Sequence, residues 1–137
     1  MGPAPRLFTL EEARALLPSV VPVLERLRQA YLELRAIEAA RAASPPAAPP
    51  PTATTSLPLF AAAEDFDPAE PLRDAVRAAV QALEQQGIEL KDPARGLIDF
   101  PHRRGSRIVY LCYQLGEPTI AWWHRPRCRL RRPHQPL

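Results

Sequence analysis

Six polar side chains in the C-terminal third of the sequence have the chemistry to form a site. They are carboxylates, imidazoles and one thiol: Asp92, Asp99, His102, Cys112, Glu117 and His124. A carboxylate beside an imidazole can transfer protons as an acid/base pair, and the same two groups can bind a metal ion. The question is therefore which of these residues the predicted strands bring onto one face.

From residue 88 onward the apolar residues recur with a period of two, which predicts antiparallel strands. We expect Pro101 to end one strand and to pair with Arg107 across a loop, and a Gly-Glu turn to pair Val109 with His124. Asp99 then lies opposite Val109. Asp99 and His124 project from the same face, about 9–10 Å apart at the backbone.

A structural role explains the same residues more simply, and we favour it. Asp99 would form an ion pair with Arg95 or Arg107 at a sheet edge, and His124 would bond a carbonyl. Glu117 is a third catalytic candidate or a solvated turn residue. The sequence contains no Cys-x-x-Cys or His-x₃-His pair, no phosphate-binding glycine loop and no nucleophile elbow. We therefore predict no metal and no cofactor.

The last predicted hairpin is apolar on both faces. One face is expected to carry Val109, Leu111, Tyr113, Ile120 and Trp122, and the other Ile108, Tyr110, Cys112, Ala121 and Trp123. An antiparallel sheet with one solvated face should alternate apolar and polar residues. Because two helices cover only one face, we predict a homo-oligomer, most simply a dimer. The interface candidates are Leu24, Leu27, Tyr31, Trp122 and Trp123.

A long first helix must support this sheet. Thr9 and Glu12 form a predicted capping box, and the apolar residues from Leu10 to Leu34 are spaced alternately three and four apart. The helix should run to about residue 43. Pro18 and Pro22 lie inside this pattern, and each removes a backbone donor. We expect a kink or a break near these two prolines.

A second helix follows a linker, 44–66, that contains six prolines and cannot form a core. Asp67 and Pro68 should begin this helix and Gly87 should end it. The sequence thus predicts an α+β fold: an antiparallel helical hairpin packed on a three- to four-stranded antiparallel meander. Residues 1–124 form a single domain interrupted by the linker.

The positive charge is concentrated at the end of the sequence. Residues 125–137 carry five arginines and no acid, so the rest of the chain has a net charge of 3 − 5 = −2. We predict a flexible tail there, which is either solvated or binds the phosphates of a nucleic acid in a salt-dependent way. The candidates for such contacts are Arg127, Arg129, Arg131 and Arg132.

Two cysteines make no disulfide framework, and the N-terminus lacks the pattern of a signal peptide. No apolar run approaches 18 residues. We therefore expect a cytoplasmic protein with no membrane association.

Three segments resemble the uncharacterised bacterial family known as domain of unknown function 2203. They are FTLEEARALLP at 8–18, GIELKDPARGLIDFP at 87–101 and IVYLCYQLGEPTIAWWH at 108–124. The resemblance implies a helical hairpin joined to a small antiparallel sheet, and it brings no established reaction. After the Trp-His pair the family continues with a Gly-Phe-x-Gly-Arg-x-Pro-like segment, whereas this chain reads RPRCRLRRPHQPL.

Our leading functional hypothesis is a non-enzymatic module that oligomerises through protein–protein contact. The alternative is a small enzyme or a ligand- or metal-binding protein that uses Asp99 and His124. A third hypothesis is nucleic-acid association through the arginine-rich tail.

Overall fold

The computed structural model describes residues 6–43, 66–126 and 135–137. The chain forms two helices followed by one five-stranded antiparallel sheet, which confirms the α+β prediction. Of the predicted linker, only Phe66 is among the described residues. The four nucleic-acid candidates also lie outside them: Arg127, Arg129, Arg131 and Arg132.

Helix α1 spans Leu10–Ala43 and begins at the predicted capping box. The Thr9 hydroxyl accepts a hydrogen bond from the Glu12 N–H at 3.0 Å, and the Glu12 carboxylate accepts one from the Thr9 N–H at 2.8 Å. These bonds from Thr9 lower the pKa of Glu12 because they stabilise its charged form. The capping-box prediction is confirmed.

Helix α1 runs through Pro18 and Pro22 without interruption, so the predicted break is wrong. Each proline removes one backbone donor, but both lie one turn apart on the exposed side, where the unpaired carbonyls can bond water. The opposite side buries Leu17, Val20 and Leu24 in the core. Each such side chain contributes about 1.5–3 kcal/mol, which offsets the cost of the two prolines.

Helix α2 spans Ala69–Gln85, and both of its ends follow the prediction. Asp67 Oδ1 accepts a hydrogen bond from the Ala69 N–H at 3.0 Å. Gly87 follows the helix with φ +87°, and its N–H donates to a carbonyl of the last helical turn at 2.9 Å. An ion pair between Arg41 and Asp67 joins the end of α1 to the start of α2, as an antiparallel hairpin requires.

The sheet is a meander in which each strand pairs with the next. Its strands are β1 (Glu89–Asp92), β2 (Leu97–Arg104), β3 (Arg107–Gln114), β4 (Trp122–His124) and β5 (Gln135–Pro136). The first four form the predicted meander. The fifth pairs with β4, and the Leu137 N–H donates to the Ala121 carbonyl at 3.0 Å. Of the predicted tail, residues 135–137 are thus paired with the sheet.

Strand β2 does not end at Pro101, as predicted, but continues to Arg104. The Pro101 carbonyl accepts a hydrogen bond from the Phe8 N–H at 2.7 Å. The nitrogen of Pro101 must then also point away from β3, because the N–H and C=O of a strand residue lie on the same side. A proline placed in this way costs no bond between β2 and β3. The hairpin closes instead with a two-residue turn beginning at Gly105, and Arg104 pairs with Arg107.

The register of the sheet differs from the predicted one both between β2 and β3, where the tighter turn sets it, and between β3 and β4. Asp99 pairs with Cys112 and not with Val109, and Tyr110 rather than Val109 pairs with His124. Each of these two differences shifts a strand pairing by an odd number of residues, which reverses the face expected for the side chains of one strand relative to the other. Two reversals cancel, so Asp99 and His124 still share a face.

The one-residue displacement of β4 exchanges the two tryptophans. Trp123, not Trp122, lies on the inner face of the sheet, under the helices, and is only 6% exposed. Leu24 and Leu27 are fully buried in the same core. Three of the five interface candidates are thus used inside the chain and are not available to a partner. Tyr31 and Trp122 remain at the surface.

The outer face of the sheet, away from the helices, is not uniformly apolar. Ile108 and Trp122 are exposed there by 41% and 40%, whereas Asp99, Cys112 and His124 are buried. The chain itself therefore covers the centre of this face. Only the exposed apolar side chains remain for the predicted second copy, so self-association stays a prediction.

Candidate metal centre

Asp99, Cys112 and His124 meet at the centre of the outer face. They belong to three neighbouring strands, β2, β3 and β4, and are 1%, 4% and 3% exposed. A carboxylate oxygen of Asp99, the Cys112 Sγ and a ring nitrogen of His124 all lie within 4.8 Å of one another. The observed register produces this cluster. Cys112 pairs directly with Asp99, and His124 pairs with Tyr110, which lies two residues before Cys112 on β3.

Two oxygen atoms hold the His124 ring. Its Nδ1 lies 3.0 Å from the Arg125 carbonyl oxygen, and its Nε2 lies 2.8 Å from Asp99 Oδ2. A carbonyl oxygen can only accept, so Nδ1 carries a proton. The contact at Nε2 then requires a proton as well, which either the imidazole or the Asp99 carboxyl group holds. Asp99 and His124 therefore share one proton in a buried hydrogen bond.

The second carboxylate oxygen of Asp99 has a different environment. Asp99 Oδ1 is buried and has no hydrogen-bond partner among the described residues. A buried acceptor without a partner costs about 1–3 kcal/mol, and native proteins contain few of them. The orphaned oxygen belongs to the same carboxylate that contacts His124, so the cluster retains an unused binding group.

Aromatic and charged side chains flank the cluster. The Tyr110 ring stacks on the His124 ring with a centroid distance of 5.5 Å, and Lys91 Nζ lies 5.5 Å from the Tyr110 ring centre. The Glu89 carboxylate, 2.9 Å from Lys91 Nζ, raises the pKa of Lys91. Burial, followed by the charge of Glu89, raises the pKa of Tyr110. Lys91 is thus cationic and Tyr110 neutral at physiological pH.

A cleft of about 330 Å³ opens over one member of the cluster. Cys112 contributes to it, between Leu97 and Trp122, with Gln114 and Glu117 also in its lining. The cleft provides a route by which a small molecule or ion could reach the thiol. Asp99 and His124 are not part of its lining.

The other predicted candidates have structural contacts. Asp92 Oδ1 accepts hydrogen bonds from two backbone N–H groups of the following turn, at 3.0 and 3.2 Å. His102 Nδ1 contacts a backbone carbonyl of the N-terminal segment at 2.7 Å. Glu117 Oε1 accepts a bond from the backbone N–H at the end of β3 at 2.6 Å, so Glu117 borders the cleft but lies outside the cluster.

The ion pairs of Asp99 with Arg95 or Arg107, expected from the sequence, are not formed among the described residues. Arg95 pairs with Asp92 at 3.6 Å, and the partner of Asp99 is His124. The alternative role of His124 is present, because its Nδ1 does contact a carbonyl. Sequence reasoning missed Cys112 as a member of the cluster, since the assumed pairing put it on the opposite face. A Gly-Ser turn flanked by Arg104 and Arg107 was the signal that would have corrected the register.

No helix in the described parts of the chain is both long and apolar enough to cross a membrane. The fold and the cluster define a small α+β protein with a buried carboxylate–imidazole–thiol group at the centre of an antiparallel sheet. The chain belongs to the family described as Uncharacterized conserved protein (DUF2203), whose model matches residues 6–132. No curated protein and no solved structure matches it.

Proposed function

We propose that this protein binds a transition-metal ion, with zinc as the best fit, through Asp99, Cys112 and His124. The observation that carries the proposal is the convergence of three ligand atoms of different chemistry, within 4.8 Å of one another, from three strands. Thiolate, imidazole and carboxylate are the three side-chain ligands that zinc uses in proteins.

The hydrogen bond at His124 Nδ1 supports this assignment. A metal-binding histidine usually donates its second ring N–H to a carboxylate or a backbone carbonyl, which directs the other nitrogen at the metal. Here the Arg125 carbonyl occupies Nδ1, and Nε2 points into the cluster. The ion would replace the proton now shared with Asp99, as expected for ligands that must lose protons to bind.

The size of the cluster is also suitable. Ligands of a tetrahedral zinc ion lie about 3.3–3.8 Å apart, given bond lengths of about 2.0–2.3 Å. The contact between Asp99 and His124, now 2.8 Å, must widen by about half an ångström. The three ligand atoms now lie within 4.8 Å of one another, so Cys112 must approach by up to about 1.3 Å. Rotation of the three side chains would have to supply both movements. Asp99 Oδ1, which has no partner now, would gain one as a ligand or by the rearrangement.

Three protein ligands leave one position of a tetrahedral ion open. Structural zinc sites usually have four protein ligands, whereas sites with three hold water or substrate in the fourth position. The cleft lined by Cys112 and Trp122 lies on the thiol side of the cluster. We therefore expect the ion to remain accessible to small ligands.

Metal analysis of the purified full-length protein tests the proposal. After loading with zinc and dialysis, we expect one zinc ion per chain, and cobalt loading should give thiolate-to-cobalt charge-transfer absorption. Cys112→Ser should abolish this absorption and weaken zinc binding by at least tenfold. His124→Gln should also weaken zinc binding by at least tenfold.

Two matched controls distinguish this site from adventitious binding. Cys128→Ser removes the other cysteine, and His102→Gln removes a histidine whose Nδ1 contacts a backbone carbonyl outside the cluster. Both should bind zinc as the unaltered protein does. Less than stoichiometric zinc in the unaltered protein, or unchanged binding in Cys112→Ser, would refute the proposal.

A further inference from the structure

We infer that the end of the sheet at the β2–β3 hairpin binds the phosphodiester backbone of a nucleic acid. The surface consists of three arginines and is called here the arginine end: Arg104 and Arg107, which pair across the hairpin turn, and Arg125, which follows β4. It lies outside the Asp99–Cys112–His124 cluster and does not depend on a metal.

The hairpin places like charges directly opposite each other. Arg104 pairs with Arg107 across the two-residue turn, so their side chains share a face with Cβ atoms about 5 Å apart. Arg125 follows β4 directly and lines one groove together with Arg107 and Val109. Like charges at paired positions destabilise a sheet. A pair of facing arginines with a third close by, at one end of the sheet, is consistent with an anionic ligand that compensates their charge.

No acid of the described segments compensates these charges. All three arginines are exposed, and none forms an ion pair within residues 6–43, 66–126 and 135–137. Residues 101–137 contain eight arginines and a single acid, Glu117, which gives 8 − 1 = +7. The remaining chain therefore carries 3 − 7 = −4. The small net charge therefore conceals a very uneven distribution of charge along the sequence.

The shape of the surface favours a nucleic acid over other polyanions. A groove of about 470 Å³ runs between Arg107 and Arg125, with Ile108, Val109 and Pro126 as its apolar lining. Guanidinium groups bind phosphate oxygens in a bidentate manner, and apolar surface beside them accommodates a base or a sugar. The third guanidinium, that of Arg104, lies 4.3 Å from the centre of the Trp123 ring, which holds it in a fixed position.

Because β5 belongs to the sheet, truncation of the C-terminus is not a suitable test. Truncation after His124 would remove β5, which pairs with β4, so any loss of binding could reflect damage to the sheet. Point substitutions in the full chain avoid this difficulty. We choose Arg107→Gln with Arg125→Gln, because both side chains are exposed and line the groove.

Fluorescence anisotropy with a labelled oligouridylate and with a DNA duplex, over a series of salt concentrations, tests the inference. We expect the logarithm of the binding constant to fall linearly with the logarithm of salt concentration. For the single strand, the double variant should make this slope shallower by about 0.7 for each arginine removed. Near 0.1 M salt it should bind about fivefold more weakly for each arginine removed. Arg104→Lys should retain the slope, because it retains the charge.

The matched control is Arg73→Gln with Arg77→Gln, which removes the same charge from arginines that already pair with Asp67 and Asp74. It should bind as the unaltered protein does. An equal loss in this control would show that only net charge matters and would overturn the inference. So would loss confined to a variant of Arg127, Arg129, Arg131 and Arg132, or equally tight binding of poly-glutamate or of vesicles rich in phosphatidylserine.

Discussion

His124 shows how one buried side chain constrains its neighbours. Its ring lies between the Arg125 carbonyl and the Asp99 carboxylate, and Tyr110 covers its face. The carbonyl fixes Nδ1 as a donor, so the state of Nε2 depends on what Asp99 provides. A group that can donate to Nε2 should therefore replace Asp99 with little loss of stability.

Two substitutions at Asp99 test this relation. Asp99→Asn can donate an amide N–H to Nε2 of the neutral ring, and we expect its free energy of unfolding to lie close to that of the unaltered protein. Asp99→Ala removes the carboxylate that contacts the buried Nε2 and should cost about 1–3 kcal/mol. Urea unfolding in the presence of a chelator measures both values. If the two variants are equally destabilised, the account of the shared proton is incorrect.

At the scale of elements, the start of α2 depends on one exposed carboxylate. The Arg41 guanidinium and the Ala69 N–H lower the pKa of Asp67 from its ordinary 3.8 to about 2. A lowered pKa stabilises the fold at pH values above the ordinary one, and this contribution is lost as the pH falls through about 2. We expect an NMR titration of the Asp67 carboxyl to give that low value. Arg41→Gln should raise it, whereas Arg77→Gln, whose partner is Asp74, should leave it unchanged.

The elements differ in how far their own sequence determines them. Thr9 with Glu12, Asp67 and Gly87 specify the helix ends through contacts within a few residues, and these predictions are confirmed. The register of the sheet depends on where a turn closes. Pro101 looked like the end of a strand only because its contact with Phe8, remote in sequence, was unknown.

The candidate site, like the fold, could be predicted from the sequence only in part. Asp99 and His124 each interrupt or end an apolar run of the sequence, and the predicted register put them on one face through two errors that cancelled. Cys112 was missed because its membership depends on the parity of the β2–β3 pairing, which the Gly-Ser turn sets and the residues around Cys112 do not. The fifth strand was missed because its only strand partner, β4, lies on the far side of a connection rich in arginine.

At the scale of the whole molecule, we propose that two copies associate through the outer face. Ile108 and Trp122 are large, apolar and exposed by about two-fifths on this face. Because only about two-fifths of each side chain is still exposed, its burial contributes roughly 0.6–1.2 kcal/mol, which favours a weak dimer. Light scattering at micromolar concentration should give a mass above that of one chain, and Ile108→Lys with Trp122→Lys should reduce it to that of a monomer.

Leu32→Lys is the control for this experiment, because Leu32 is equally exposed, at 43%, but lies on α1. It should leave the mass unchanged. A clean monomer for the unaltered protein would refute self-association through the outer face, while the metal site and the arginine end would remain open to their own tests.

Strand β4 has only three residues, and it has neighbours on both edges only when Gln135 and Pro136 have joined the sheet. Synthesis delivers the helices and the first three strands earlier, and these can pack on one another before β4 arrives. Asp99 and Cys112 would then already be paired, before His124 on β4 completes the cluster. A polypeptide that stops short of residue 135 is therefore expected to resemble the finished protein in its helices while lacking a secure third ligand, and metal uptake would report the completion of folding.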